Sequence, residues 1–435
     1  MRIALACALA SGCGSLPELA EIRRPAPLEQ RSLEQRVGTG EATLLDRHLA
    51  TMRRITDAPL VAGNSARLLV DGPASYEVTF RAIRAARDHV NVETYIFEAD
   101  EVGQRLAALL IEKQQQGVQV NLLYDAVGSL GTPEEFFERM RTSGINVCAY
   151  NPLLPERGRA ANPNQRDHRK QVVVDGRVAV SGGINFSSVY SSGSSPGRSE
   201  PPPSATSGWR DTNIEIRGPA VAQFQKLFLA TWEKQQGAPL ASREYFPPLA
   251  TEGDKVVRVV GSSSDGEQSL TYLALLSAIR ESMLSVDLTA AYFVPDGEIL
   301  DALTEAARRG VAVTLLLPGF SDSWMVLQAG RSYYAELLSA GVGIYELRGA
   351  LLHSKTAVID GVWSTVGSTN LDWRSLLHND ELNTIVLGED FGSDMKRMFD
   401  ADLKDATPID RASWEARGVI EKLKERSARL LRYWL

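Results

Sequence analysis

The chain has 435 residues, of which 44% are hydrophobic and 23% charged, with a net charge of −7. That length and apolar content suffice for two sizeable cores and exclude a chain that is disordered overall. The acidic balance argues against nucleic acid as the bulk partner, since proteins that track phosphate backbones carry a basic excess.

At the N-terminus Arg2 precedes the apolar run Ile3 to Ala10, and Ala10-Ser11-Gly12-Cys13 resembles a bacterial lipoprotein cleavage box. The run is too short to cross a bilayer as a helix. Residues 1–13 are therefore expected to be a signal, with a lipid anchor on Cys13 holding the chain at a bacterial membrane, facing the periplasm. Residues 14–64 are polar with scattered helical stretches and read as a tether. With Cys7 in the signal, Cys13 and Cys148 remain, which gives neither a disulfide framework nor a metal cluster.

From Ser65 onward the pattern becomes regular. A helix-like stretch (Ala82 to Arg87), a strand (Val90 to Phe97), a helix (Gly103 to Gln116) stopped by Gly117 and a strand (Val118 to Asp125) follow one another. A further helix ends at Gly144, and a short strand comes next. Then the chain reads HRKQVVVDG, His168 to Gly176. On a strand, residues i and i+2 share a face, so His168 and Lys170 project together. Val172 to Val174 favours extended backbone, Asp175-Gly176 is a hairpin turn pair, and the chain should return through Arg177 to Ser181. A small-residue loop, Gly182-Gly183-Ile184-Asn185, closes the unit. The Ser-, Pro- and Gly-rich stretch Ser187 to Ser207 reads as a flexible surface insert ahead of Trp209-Arg210-Asp211, where a new strand begins.

The same order then recurs. Ala278 to Glu281, Val286 to Phe293, Glu298 to Arg309 stopped by Gly310, Val311 to Leu317, and a helix ending at Gly341 lead to HSKTAVIDG, His353 to Gly361. The return runs through Val362 to Val366 into Gly367-Ser368-Thr369-Asn370, and Asn379-Asp380-Glu381 opens the next strand. The interval from His to Asn is 17 residues in both copies, and six positions agree in one register. This is a duplication. Alternating strands and helices with glycine stops predict an α/β fold of two similar α/β/α sandwich domains, 65–245 and 250–405, related by a pseudo-twofold with one shared active site.

Two imidazoles, two ammonium groups and two amides delivered by equivalent loops suit a phosphodiester. Lys170, Lys355, Asn185 and Asn370 would hold the non-bridging oxygens, with Ser368 as a further phosphate contact. One histidine would attack phosphorus while the other protonates the leaving alcohol and deprotonates the incoming one. A neutral nucleophilic imidazole needs an acceptor on its other nitrogen, and Asp211 and Glu381 are the candidates. Asp175 and Asp360 sit in turns and are assigned to holding the loops. His48, His89 and His378 have no comparable context and read as structural.

At the C-terminus, within 410–435, Ile420, Leu423, Leu430, Leu431 and Trp434 fall on one helical face, with Arg417, Lys422, Lys424, Arg426, Arg429 and Arg432 around it. Such an amphipathic helix either lies on anionic lipid or packs on the second domain.

The two HxKxxxxDG copies, followed by GGxN and GSxN, resemble the phospholipase D superfamily. Longer runs are similar to bacterial cardiolipin synthases: Tyr95-Ile96-Phe97 with Asp100-Glu101-Val102-Gly103, Leu122 to Ser129, His168 to Gly183, Trp209-Arg210-Asp211-Thr212, Arg331-Ser332-Tyr333-Tyr334, and Gly367 to Leu376. The similarity spans roughly 65–400. It implies phosphatidyl transfer between anionic phospholipids at a membrane surface, joining two phosphatidylglycerols and releasing glycerol, with no metal and no cofactor. It also implies His168 as nucleophile and His353 as acid/base. Members of the best-known type begin with two membrane-spanning helices, which the lipid anchor would replace here, and carry an acidic pair where Ser187-Ser188-Val189 precede Tyr190. A phospholipase D-type hydrolase would use the same residues with water as acceptor, the choice depending on how well the pocket excludes water. No motif indicates an oligomeric state.

Overall fold

The computed structural model describes residues 44–56, 58–153, 164–194, 208–265 and 269–434. Seven strands build the first half: β1 (Val61–Val70), β2 (His89–Thr94), β3 (Gln119–Asp125), β4 (Asn146–Tyr150), β5 (Gln171–Val174), β6 (Val178–Gly182) and β7 (Thr212–Arg217). Seven more build the second: β8 (Lys255–Ser262), β9 (Ser285–Ala290), β10 (Ala312–Pro318), β11 (Gly343–Leu347), β12 (Lys355–Ile359), β13 (Trp363–Gly367) and β14 (Asn379–Leu387). The spatial order is β1-β7-β6-β5-β2-β3-β4 in one half and β8-β14-β13-β12-β9-β10-β11 in the other. The duplication read from the motifs is thus a duplication of topology.

The halves do not form separate sheets. β1 and β8 pair antiparallel through an irregular register, Val61 opposite Val257 and Asn64 opposite Lys255, so that one continuous sheet runs through the molecule. Side-chain alternation along the strands feeds both faces. Val172 and Val174 enter a core with the helices Asp71–Ala85, Glu101–Gln115 and Glu134–Thr142. Val173 points the other way, into a core that the helices Val221–Lys234 and Glu389–Lys404 share across both halves with Val358 and Val386. The helices Leu270–Glu281 and Gly297–Arg308 cover the second half as Asp71–Ala85 and Glu101–Gln115 cover the first. Among the described residues no helix is long and apolar enough to cross a membrane.

Three expected boundaries move. The tether assigned to 14–64 ends by Leu44, because the helix Leu44–Ile55 carries Leu44, His48 and Met52 at four-residue spacing and buries all three. His48 meets Ser277 Oγ at 3.2 Å and accepts from the Trp363 indole at 3.0 Å, which fastens this segment to the second half. Residues 1–43, including the Cys13 box, lie outside the described residues. The insert assigned to 187–207 begins later, since Ser187 and Tyr190 are buried and Ser188–Tyr190 forms a short 3-10 turn; 195–207 lie outside the described residues. The C-terminal segment is not one helix but Arg411–Glu415, Val419–Leu430 and a last turn at Arg432–Trp434.

The hairpin turns behave as their sequence demands. Asp175 and Gly176 have φ of 52° and 60°, Asp360 and Gly361 φ of 51° and 67°, the left-handed pair that Asp-Gly adopts at least cost. Each return strand starts one residue later than expected, because Arg177 and Val362 stay in the turn. The Asp175 carboxylate accepts from the backbone N–H groups of Arg87, Asp88 and His89, and Asp360 likewise from Met283, Leu284 and Ser285. Each turn is therefore tied to the start of the strand beside it. Asp360→Ala is expected to lower unfolding stability by about 2 kcal/mol through loss of these charge-assisted bonds, with turnover per folded molecule unchanged. Urea unfolding and kcat measured on one preparation check both halves of that expectation.

Candidate active site

Both histidine loops are gripped by the opposite half. Arg166-Asp167, just before His168, pair in parallel with Asn379-Asp380, and the His168 N–H donates to the Asp380 carbonyl at 2.9 Å. In mirror fashion Leu351-Leu352 pair with Trp209-Arg210, and the His353 N–H donates to the Arg210 carbonyl at 2.8 Å. Each acid sits one residue beyond its clamp. The consequence is a crossed arrangement: Glu381 of the second half faces His168, and Asp211 of the first half faces His353.

His168 Nδ1 lies 3.1 and 3.2 Å from the Glu381 carboxylate oxygens, and His353 Nδ1 lies 2.6 Å from Asp211 Oδ2. With Nδ1–H donated to a carboxylate, Nε2 of each imidazole is the atom left to carry a lone pair when the ring is neutral or a proton when it is charged. Lys170 donates to the His168 carbonyl at 2.5 Å, and Lys355 to the His353 carbonyl. All six side chains are buried. Tyr95 packs edge-on to His168 at 5.0 Å with the Lys170 ammonium 5.3 Å above its ring, while Trp209, Tyr190 and Tyr292 surround His353 at 5.1, 5.9 and 6.5 Å.

The electrostatics follow from burial in a shared space. Burial holds His168 well below the usual imidazole range, and the ammonium groups of Lys170 and Lys355 push the same way. His353 is lowered by burial and Lys355, against the pull of Asp211. Lys170 drops to about 7 through burial, with Glu381 opposing the fall and Lys355 adding to it; Lys355 is lowered by burial too. Burial lifts Glu381 to about 7 against the attraction of Lys170. Groups from one half act on those of the other throughout, so the two loops form one site.

The remaining sequence-predicted residues are placed as follows. The Ser368 hydroxyl donates to Glu381 Oε2 at 2.5 Å and accepts from the Leu382 N–H at 3.0 Å. The reason lies in acid length. At Gly183, its counterpart, an added Cβ would come within 2.2 Å of Asp211 Oδ1, so the shorter acid already fills that place, whereas the arrangement around Glu381 accommodates a hydroxyl. Asn185 is buried with its side-chain Oδ1 accepting from the Ile96 N–H at 3.0 Å and its Nδ2 donating to the Tyr190 hydroxyl at 3.3 Å. Asn370 is buried, and among the described residues its Oδ1 has no hydrogen-bond partner. Asp175 and Asp360 stay at the turns, away from the imidazoles. Arg210 is buried and chelates the Asp402 carboxylate at 2.9 and 2.8 Å, a structural pair.

Sequence reasoning misses Tyr190, whose hydroxyl stands 3.3 Å from His353 Nδ1. The available signal is a lone large aromatic at the head of a Ser-rich stretch, five residues after the loop asparagine. It also misses the cross-half clamps, for which no sequence signal exists.

Two copies of one α/β topology, each lending a histidine and a lysine from the segment that leads into a hairpin strand to a common buried site backed by a crossed carboxylate, define an enzyme of the phospholipase D superfamily. A family model described as "Cardiolipin synthase, PLD-like domain" matches residues 79–193 and 275–403. Similar curated proteins include cardiolipin synthase A of Pseudomonas aeruginosa, 36% identical over 388 residues and covering 88% of this chain and 76% of that one. The cardiolipin synthase of Geobacillus thermodenitrificans is 35% identical over 387 residues, 88% of this chain and 74% of that one. Among solved structures, phosphatidylserine synthase of Haemophilus influenzae superposes with a TM-score of 0.64 at 12% identity, covering 94% of this chain and all of that one, a likeness of fold. The chain belongs to the cardiolipin synthase family of phospholipase D-like phosphatidyltransferases.

Proposed function

We propose that the enzyme joins two phosphatidylglycerol molecules at an anionic membrane surface and releases glycerol, through a phosphohistidine intermediate. His168 enters neutral and its Nε2 attacks phosphorus, the P–O bond to the glycerol headgroup breaks, and His353, entering this step as an imidazolium held by Asp211, gives its Nε2 proton to the departing alkoxide. The second phosphatidylglycerol then enters with its headgroup hydroxyl toward His353, which takes the proton back as that oxygen displaces the histidine. Atoms balance over the two steps, and each imidazole returns to its starting state.

The crossed histidine–carboxylate pairs are the single observation that supports this reading best. They set two imidazoles, each backed by its own carboxylate, at one space, which supports a division of labour between a nucleophile and an acid/base over two displacements. Lys170 and Lys355 flank that space, and a phosphodiester between them would restore the charge that burial weakens, so binding should strengthen the clamp on the non-bridging oxygens. The amides of Asn185 and Asn370 complete the clamp in this proposal, and Ser368 instead steadies Glu381. Asp211 and Glu381 hold the tautomers and stabilise the imidazolium that forms at each step.

Purified enzyme incubated with phosphatidylglycerol should yield cardiolipin and glycerol in equal amounts, followed by lipid mass spectrometry and a glycerol assay. Phosphatidic acid as the main product would mean that water is the acceptor, and the proposal of transfer between lipids would fall.

A further inference from the structure

The helix Val419–Leu430 is oriented opposite to an ordinary surface helix. Its buried positions are Glu425 and Ala428, with Glu425 paired to Arg417 at 2.5 Å, and Arg429 lies over the Tyr333 ring at 4.1 Å. Its apolar positions face outward: Ile420 is 70% exposed, Leu423 62% and Leu430 85%. Trp324 and Met325 open the neighbouring helix Trp324–Arg331 and are also exposed, and they line one groove with Ile420, Leu423 and Leu431. Apolar side chains turned to water over two adjoining helices need an occupant.

Three observations name one. In 419–434 five cations stand against two acids, in a chain whose net charge is −7, and Lys424, Arg426 and Arg432 are exposed around the apolar face. Trp324 and Trp434 add exposed indoles, a side chain that settles at the boundary between lipid and water. Side-chain contacts also link the patch at both ends to segments that reach the site. Two residues before Trp324, Asp322 accepts from the hydroxyl of Tyr292, whose ring faces His353; at the other end Tyr433 packs on Trp373 and His378, in the segment that follows Asn370.

We propose that the outward face of Val419–Leu430, together with Trp324 and Met325, seats in an anionic phospholipid surface and sets the catalytic mouth against it, so that headgroups reach the histidines without the lipid leaving the bilayer. This inference rests on the phospholipid reading of the site and assigns the surface that serves it.

The test uses the full chain carrying Cys13→Ser, so that an anchor on Cys13 does not contribute, with Ile420→Ser/Leu423→Ser and, separately, Trp324→Ser added. These side chains are exposed, so neither variant opens a core. The parent should sediment with vesicles of phosphatidylcholine and phosphatidylglycerol, more weakly with phosphatidylcholine alone, and less as salt is raised. The double variant should lose at least about tenfold in partition, given the apolar area withdrawn from lipid. Turnover on vesicles should fall in step, while turnover of a short-chain phosphatidylglycerol dispersed as monomers should be retained. Unchanged partition in both variants overturns the proposal, as does a parent that self-associates by light scattering and becomes monomeric in the double variant. If the parent fails to turn over the monomeric lipid, the substrate reading fails, and the vesicle partition still judges the surface.

Discussion

His168→Ala is expected to lower transfer by about 10⁴-fold or more, the scale seen when one member of a nucleophile–base set is removed, and to leave no enzyme-bound phospholipid. His353→Ala is expected to lose turnover to a similar extent yet to behave differently in one respect. Presented with a phosphodiester whose leaving group needs no proton, such as a nitrophenyl ester of phosphatidic acid, this variant retains the first displacement and lacks the base for the second, so an adduct should build up on the peptide carrying His168. Alkaline quenching, which preserves phosphorus–nitrogen bonds to histidine, followed by mass spectrometry reads the result. Thermal unfolding of the two variants is read alongside, and activity is counted per folded molecule, because each buried imidazole also packs on aromatic rings and partners a buried carboxylate. An adduct on His353 in the His168→Ala protein would reverse the roles; an adduct in neither would replace double displacement by direct transfer.

Much of this site is legible in the amino-acid sequence. The spacing correctly groups His168 with Lys170 and His353 with Lys355, although His168, Lys170 and His353 lie just ahead of the hairpin strands and not on them, and Asp-Gly after an extended run makes the turns that hold Asp175 and Asp360. Duplication does the rest, by giving Asp211 and Glu381 matching places after the loop asparagines. The duplication implies a pseudo-twofold and a shared site, but the contacts between the halves cannot be read in this way. No spacing within a half says which acid serves which histidine, because the answer lies in two short parallel pairings between segments more than a hundred residues apart. The helix Leu44–Ile55 reads as a tether for the same reason: its partners, Ser277 and Trp363, lie far along the chain. The hydroxyl of Ser368 suggests a phosphate ligand, whereas the extra methylene of Glu381 over Asp211 decides where that hydroxyl goes. At the C-terminus the amphipathic pattern is visible, but a helical wheel does not say which face turns inward, and here the salt-bridged Glu425 does.

The crossed wiring makes the second large prediction sharper than a simple loss of activity. Asp211→Asn and Glu381→Gln keep shape and remove the charge that fixes each tautomer and stabilises each imidazolium, and each is expected to lower kcat by about 10³-fold, between a lost hydrogen bond and a lost catalytic group. The steps affected should differ. In the proposed mechanism Glu381 backs the nucleophile, so Glu381→Gln should abolish the pre-steady-state burst of the first alcohol. Asp211 there backs the acid/base, so with an activated leaving group Asp211→Asn should keep the burst and slow the turnover that follows. Had each acid served the histidine of its own half, these two patterns would be exchanged. Double-mutant cycles provide an independent reading, since groups acting as one unit do not add: His353→Ala with Asp211→Asn should be scarcely worse than His353→Ala alone, and His168→Ala with Glu381→Gln scarcely worse than His168→Ala. Additivity in those two pairs, or coupling between Asp211 and His168 in their place, would mean that the carboxylates act on the reaction by some route other than the imidazoles they touch.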